Sequence, residues 1–159
     1  MSQGDDIQVV VFRVGGQELA FNVFHVQRIL RHQAPSPLPK SPAFLEGILQ
    51  VQGTVVPVID LRKRFEISEA RVKEETRMVV LEVEGLNVAV VVDAVREVLR
   101  IGADAVTMPP AVVRGLAADY IQGLITIGER TVVLLQTAKL LTSTERLALE
   151  AVQEEPVHG

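Results

Sequence analysis

Three histidines and two strand-terminal aspartates are the residues in this chain whose types can carry acid–base or metal chemistry. His25 falls at a bend between two apolar runs, His32 borders a proline-rich loop, and His158 stands next to the last residue. No two of them share an element at metal-ligand spacing, so they read as structural or solvated histidines. Asp60 closes the run Pro57-Val58-Ile59-Asp60, where it can serve as a base or cap a following helix. The cap is the favoured reading, because an Asp there accepts from the orphan N–H groups of the first helical turn. Asp93 ends the run Val88-Ala89-Val90-Val91-Val92, and turn chemistry accounts for it. Arg62-Lys63-Arg64, in a short helix or turn at 61–65, can bind phosphate or form a solvated face; the solvated face is the simpler reading. Strand rather than helix follows Gly15-Gly16, so that pair is a hairpin turn and not a phosphate cradle. Cysteine is absent, which excludes disulfides, thiolate catalysis and cysteine-based zinc sites. A Gly-x-Ser-x-Gly elbow, a P-loop and a dinucleotide fingerprint are also absent. With no nucleophile–base pair and no cofactor motif, a binding module without enzymatic activity or cofactor is expected. A small β-barrel enzyme or ligand carrier is the competing class.

The elements that must position any such residues are strands. Residues 44–61 organise the chain as two apolar strands around the turn Val51-Gln52-Gly53-Thr54, whose glycine accepts positive φ at no steric cost. Val55-Val56-Pro57-Val58-Ile59 is dense in β-branched residues, as a buried strand requires. Pro57 cannot donate to a ladder, which predicts an edge strand or a bulge there. Further strands are predicted at 7–14, 18–23, 26–30, 77–83, 88–92 and 96–101, with a bend at Phe24-His25 and a second hairpin over 120–135. Four prolines within 35–42 make a rigid connector, preferred over a PxxP ligand because strand resumes at once. Residues 1–6 read as a loose tail, 68–76 as a link between halves, and 103–119 as loop. Thr142 with Glu145 forms a capping box for a final helix, to which Leu147, Leu149 and Val152 give apolar surface. At 159 residues and 48% hydrophobic the chain suits one compact unit, and its net charge of −4 argues against general nucleic-acid affinity. No apolar run reaches the roughly 18 residues a membrane-spanning helix needs, so no membrane insertion is expected. The acidic, polar opening is unlike a signal peptide, and a cytoplasmic location is the expectation.

The halves repeat. Gly16 falls on Gly85, 69 residues later, and at that shift Ala20, Val23, Val26, Ile29 and Leu30 meet Ala89, Val92, Val95, Val98 and Leu99. Pro39 meets Pro109 with one inserted residue, and Gly47 then meets Gly123, a shift of 76 that also brings Phe44 onto Tyr120 and Ile48 onto Leu124. Matches in apolar and glycine positions at fixed order are what a duplicated fold keeps. About five short strands per copy leave exposed edges unless each sheet closes, so two small barrels sharing an apolar interface are expected.

On these residues the chain resembles the CheW-like family: the chemotaxis coupling protein CheW and the CheW-like domains of CheA and CheV. The resemblance rests on residues 12–23 with their Gly-Gly turn, Val26-x-x-Ile-Leu30, Leu38-Pro39, Gly47-Ile48, Gly53-Thr-Val-Val-Pro-Val-Ile-Asp-Leu61, Val91-Val-Asp-x-Val95-x-x-Val98 and Tyr120-Ile-x-Gly123. It spans residues 7–142 and implies a mostly β fold of two five-stranded SH3-like barrels related by pseudo-two-fold symmetry, with short helices and a C-terminal helix. The barrels would occupy roughly 7–67 and 77–142, intertwined at their boundary, with a helix and tail at 143–159. The resemblance also implies an adaptor whose partners are the regulatory domain of a CheA-type histidine kinase and the cytoplasmic tips of chemoreceptors. Partner-binding surfaces would lie around Val26, Arg28, Gly47, Gln52, Gly53, Val98 and Gly123, with receptor helices in the groove between barrels. An accessory adaptor of a gliding or pilus motility system, binding one partner but not both, is the alternative within the family.

Two positions depart from that pattern. The family usually has Glu where this chain has Arg28, and Arg where it has Gln52. An ion pair between them is therefore not expected, which puts partner choice rather than folding in question.

Overall fold

Alternating and β-branched runs become eleven strands in two sheets among the described residues, 6–65, 71–108 and 120–154 of a computed structural model. The first half contributes β1 (Asp6–Val14), β2 (Gln17–Asn22), β3 (Val26–Arg31), β4 (Leu45–Val51) and β5 (Thr54–Asp60), followed by the short helix α1 (Leu61–Arg64). The second half contributes β6 (Arg77–Val83), β7 (Leu86–Val92), β8 (Ala94–Gly102), β9 (Val106–Thr107), β10 (Ile121–Ile127) and β11 (Arg130–Leu135), then helix α2 (Ser143–Glu154). The bend at Phe24-His25 is a 3-10 turn, Val23–His25, capped by the Asn22 side chain.

One sheet runs β8-β1-β2-β11-β10-β9 and the other β3-β6-β7-β5-β4. Each sheet draws strands from both halves of the chain, which corrects barrels placed at 7–67 and 77–142. The first hairpin, β1–β2, sits in the barrel of β8–β11, and β6–β7 sits in the barrel of β3–β5. The exchange is made through two antiparallel pairings, β1 with β8 and β3 with β6, and two parallel ones, β2 with β11 and β5 with β7. Parallel neighbours cannot be joined by a tight turn, so local pattern reading misses them.

The duplication is visible in detail. β3 skips Gln27 against β6, and β8 skips Arg96, 69 residues later, against β1. β4 skips Glu46 against β5, and β10 skips Gln122, 76 residues later, against β11. Three apolar clusters result. One lies inside each barrel, around Val56, Val58, Met78 and Val80 in one and Val9, Val11, Ile125 and Val132 in the other. The largest lies between them and stacks Phe12 on Phe21 (ring centroids 4.7 Å) against Ile59, Leu61, Val79, Leu81 and Val90. That shared core is the expected apolar interface.

Pro57 is in an interior strand, not at an edge. It faces Ile48 of β4, while pairing with β7 begins only at Val58, so no β7 residue lies opposite Pro57. The bulge in this hairpin is on β4. The proline-rich connector joins the sheet through Ser36, whose N–H and carbonyl exchange 2.9 Å bonds with Ile48. It thus covers the outer edge of β4. In the other barrel the same place is filled by β9, a strand inside the predicted loop. Two residues are too few to show alternation. Residues 1–5 of the predicted tail, 68–70 of the predicted link and 109–119 of the predicted loop, with Pro109, and also His158, lie outside the described residues.

The capping box forms as predicted. Thr142 Oγ1 accepts from the Glu145 N–H and Glu145 Oε1 accepts from the Thr142 N–H, both at 3.0 Å. Behind it Leu149 is fully buried in the shared core with Leu140 and Leu141, whereas Leu147 is exposed. The helix is therefore part of the packed unit. Thr142→Ala should cost about 1 kcal/mol of stability in urea unfolding. A change below a few tenths would mean the box is not holding the helix.

Candidate functional site

Two barrel mouths and the joint between the barrels carry the polar chemistry of this molecule. At the first mouth, β3 and β4 are the two edges of one sheet. Arg28 reaches from the middle of β3 to the β4–β5 turn, where its Nη2 donates to Gln52 Oε1 at 2.8 Å. Gln52 and Gly53 turn the hairpin with φ of 50° and 82°, the left-handed pair a two-residue hairpin requires. The two departures from the family pattern therefore meet, as a charged–neutral hydrogen bond in place of an ion pair. Val26 starts the same strand and packs partly on the shared core, and Ile29, next after Arg28, is 40% exposed.

At the second mouth the equivalent of Arg28 is Glu97. It accepts from Arg130 Nη2 at 2.8 Å, and Arg130 also forks onto Glu18 with two 2.8 Å bonds. The Arg130 hydrogen bonds hold the Glu18 carboxyl below the usual carboxylate range, against a smaller opposing effect of burial. Val98, the equivalent of Ile29, is 56% exposed beside this latch. Sequence reading singled out Val98 but not Ile29; the 69-residue shift pairs them and was signal enough.

Gly47 and Gly123 sit buried in β4 and β10, beneath the surfaces predicted around them. A Cβ on Gly47, at φ 150°, would stand 2.5 Å from the Ser36 carbonyl oxygen. On Gly123 it would stand 2.5 Å from Val106 Cγ1. Both glycines let a covering segment close over the hairpin, so their role is backbone approach. The predicted set thus falls into two groups: Val26, Arg28, Gly47, Gln52 and Gly53 on one barrel, and Val98 and Gly123 on the other.

The joint between barrels turns on Arg62, which is 3% exposed. Its Nε and Nη2 donate to the two Asp60 carboxylate oxygens at 3.0 Å, and Nη1 donates to Asp93 Oδ1 at 3.1 Å and to the Arg71 carbonyl at 2.7 Å. Asp60 also caps α1, accepting from the Arg62 N–H at 2.9 Å, as predicted. The expected solvated basic face is corrected. Arg62 is buried as a clasp, and Arg64 pairs with Glu145 and lies 5.5 Å over the Phe44 ring. Lys63 alone of the three is exposed, and it pairs with Glu46. Asp93 is likewise more than a turn residue. Its Oδ2 accepts from the Gly15 N–H at 2.6 Å and its own N–H donates to the Arg13 carbonyl. Short-range patterns cannot show a carboxylate satisfied 78 residues away.

His32 stands near this clasp. Burial lowers its pKa, the Arg62 charge lowers it further, and Asp60 opposes. A histidine depressed on folding is held neutral, so the unfolded chain takes up the proton more readily. The stability it contributes is present above its ordinary pKa of about 6.5 and is lost as pH falls below that value. Urea midpoints at pH 7.5 and 5.5 should therefore lie further apart in the wild type than in His32→Gln. An identical pH response in the two would refute this. Among the described residues no group of three or more potential ligands gathers for a metal, and no helix is long and apolar enough to cross a membrane.

Comparison with known proteins agrees with this architecture. The CheW-like domain profile matches residues 8–145. "Chemotaxis protein CheW" of Treponema pallidum is 30% identical over 145 residues, covering 89% of this chain and 85% of that protein. The protein of the same name from Klebsiella aerogenes is 31% identical, covering 91% and 87%. Protein FrzA of Myxococcus xanthus is 31% identical, covering 87% of each. The crystal structure of the scaffolding protein TtCheW from Thermoanaerobacter tengcongensis superposes with a TM-score of 0.82 at 26% identity, over 89% of this chain and 97% of that one. Two interleaved SH3-like barrels, a duplicated sequence and a profile match over nearly the whole length place this chain in the CheW-like domain family.

Proposed function

We propose that this protein is a coupling adaptor of a chemosensory system, joining the regulatory domain of a CheA-type histidine kinase to the cytoplasmic tips of chemoreceptors by binding alone. The observation that carries the reading is the match to relatives named for chemotaxis along nearly their whole length, with a scaffolding protein of the same fold. The physical design supports it. The polar groups at the joint between barrels are used up in structural bonds, and the strands at the sheet edges, β3 and β8, present Ile29 and Val98 to solvent. Exposed apolar residues flanked by arginine suit protein contact. The location that follows is the cytoplasmic face of receptor arrays.

Separate pull-downs with the cognate kinase regulatory domain and with a receptor-tip helical hairpin test this. Capture of both supports coupling. Capture of the kinase domain alone assigns the accessory role, and capture of neither refutes adaptor function.

A further inference from the structure

A cavity of about 580 Å³ opens beside the clasp at the joint between the barrels. Its walls come from three stretches: the β1–β2 turn at Gly15-Gly16 with Arg13 before it, the segment 71–76, and Asp93 between β7 and β8. Bonds fix these walls. Asp93 holds the turn through the Gly15 N–H and the Arg13 carbonyl. The Arg71 carbonyl accepts from Arg62. The 73–76 turn closes through the Lys73 N–H, which donates to Thr76 Oγ1 at 2.8 Å, and the Thr76 N–H, which donates to the Lys73 carbonyl at 3.1 Å. The glycine turn leaves its side of the cavity open, since a Cβ on Gly16 would meet nothing within 4 Å.

The charged groups in the lining are Arg13, Arg71, Lys73, Glu75 and Asp93. Both Asp93 oxygens are taken, one by Arg62 and one by the Gly15 N–H. Three cations then stand against Glu75. Among the described residues, Arg13, Lys73 and Glu75 form no ion pair within 4 Å. This local surplus of positive charge occurs in a chain whose net charge is −4. A concave wall of one sign focuses the potential inside it.

We propose that this cavity binds a small, freely diffusing polyvalent oxyanion of the phosphate class, held by Arg13, Arg71 and Lys73. Cations on separate stretches suit an anion with several oxygens, whereas one guanidinium fork is enough for a single carboxylate. Glu75 disfavours weakly charged ligands, which gain too little from the cations to offset its repulsion. The bound anion ties the β1–β2 turn to the 71–76 segment and so stabilises the joint. This goes beyond the coupling role and does not depend on it.

Calorimetric titration of the full chain with inorganic pyrophosphate, at constant ionic strength and with acetate as the monovalent control, tests this in wild type, Lys73→Gln, Glu75→Gln and Lys63→Gln. Lys73 and Glu75 are exposed, and the 73–76 turn is held by main-chain and Thr76 groups that neither substitution touches. Lys63 pairs with Glu46 and does not line the cavity, so it reports general loss of positive charge. Pyrophosphate should bind the wild type saturably and acetate should not. Lys73→Gln is expected to weaken pyrophosphate binding about tenfold, the worth of one charge-assisted bond. Glu75→Gln should tighten it about threefold by removing a like charge, and Lys63→Gln should leave it unchanged. No saturable heat from the wild type up to about 10 mM pyrophosphate, an affinity too weak to reflect three cationic contacts, overturns the proposal. So do equal losses in Lys73→Gln and Lys63→Gln, or weaker binding in Glu75→Gln.

Discussion

Arg62→Ala should lower stability by about 3–5 kcal/mol, the cost of leaving a buried carboxylate without its partner. Asp60 is itself buried and receives two of the guanidinium bonds, so the alanine variant leaves its charge with no ion-pair partner and only the backbone N–H of residue 62 as a donor. The loss also unties Asp93 and the 71 segment from the joint, where the barrels exchange strands. For a chain of this size the change corresponds to a drop of roughly 6–20 °C in Tm. Arg62→Lys should recover only part of it, because an ammonium cannot reproduce the planar fork onto Asp60. A loss below 1 kcal/mol for the alanine variant, measured by urea unfolding, would show that the clasp is not structural.

Gly47→Ala should cost about 3 kcal/mol, from the clash with a backbone carbonyl together with a side chain placed at positive φ. Gly123→Ala should cost less, about 1 kcal/mol. The atom it meets first is a side-chain methyl of Val106 that can shift, and its backbone carries no such φ. Urea unfolding of the two variants gives the ranking. Equal costs, or a larger one at Gly123, would mean that the Ser36 backbone does not press on β4 as described. Because Ser36 covers that edge, Gly47→Ala should also speed hydrogen exchange at the Ile48 amide, which donates to Ser36.

Much of this fold is legible along the chain, and the limits are physical. The hairpin at 44–61 reads correctly because its pattern and turn chemistry are local, and so does the capping box at Thr142. The barrels are legible through the duplication, since apolar and glycine positions repeat at fixed order. Their boundaries are not, because the exchange depends on strand pairings between residues far apart, two of them parallel. Arg62 illustrates the same limit. Beside Lys63 and Arg64 it reads as one more solvated cation, and only the approach of Asp93 from 31 positions on makes it a clasp. For the candidate site, the residue types at 28 and 52 stand out in the sequence. Their contact, and the contrast with the Glu97–Arg130 latch, need the fold. Asp60, whose residue type admits a base, is occupied on both carboxylate oxygens by Arg62.

Coupling itself is measured most directly by co-sedimentation. Vesicles bearing the cognate chemoreceptor are mixed with the kinase, with and without this protein, and the pellet is assayed for kinase. The kinase should pellet with the vesicles in proportion to the adaptor added, and should stay in solution without it. Kinase that remains in the supernatant at saturating adaptor would contradict the coupling role.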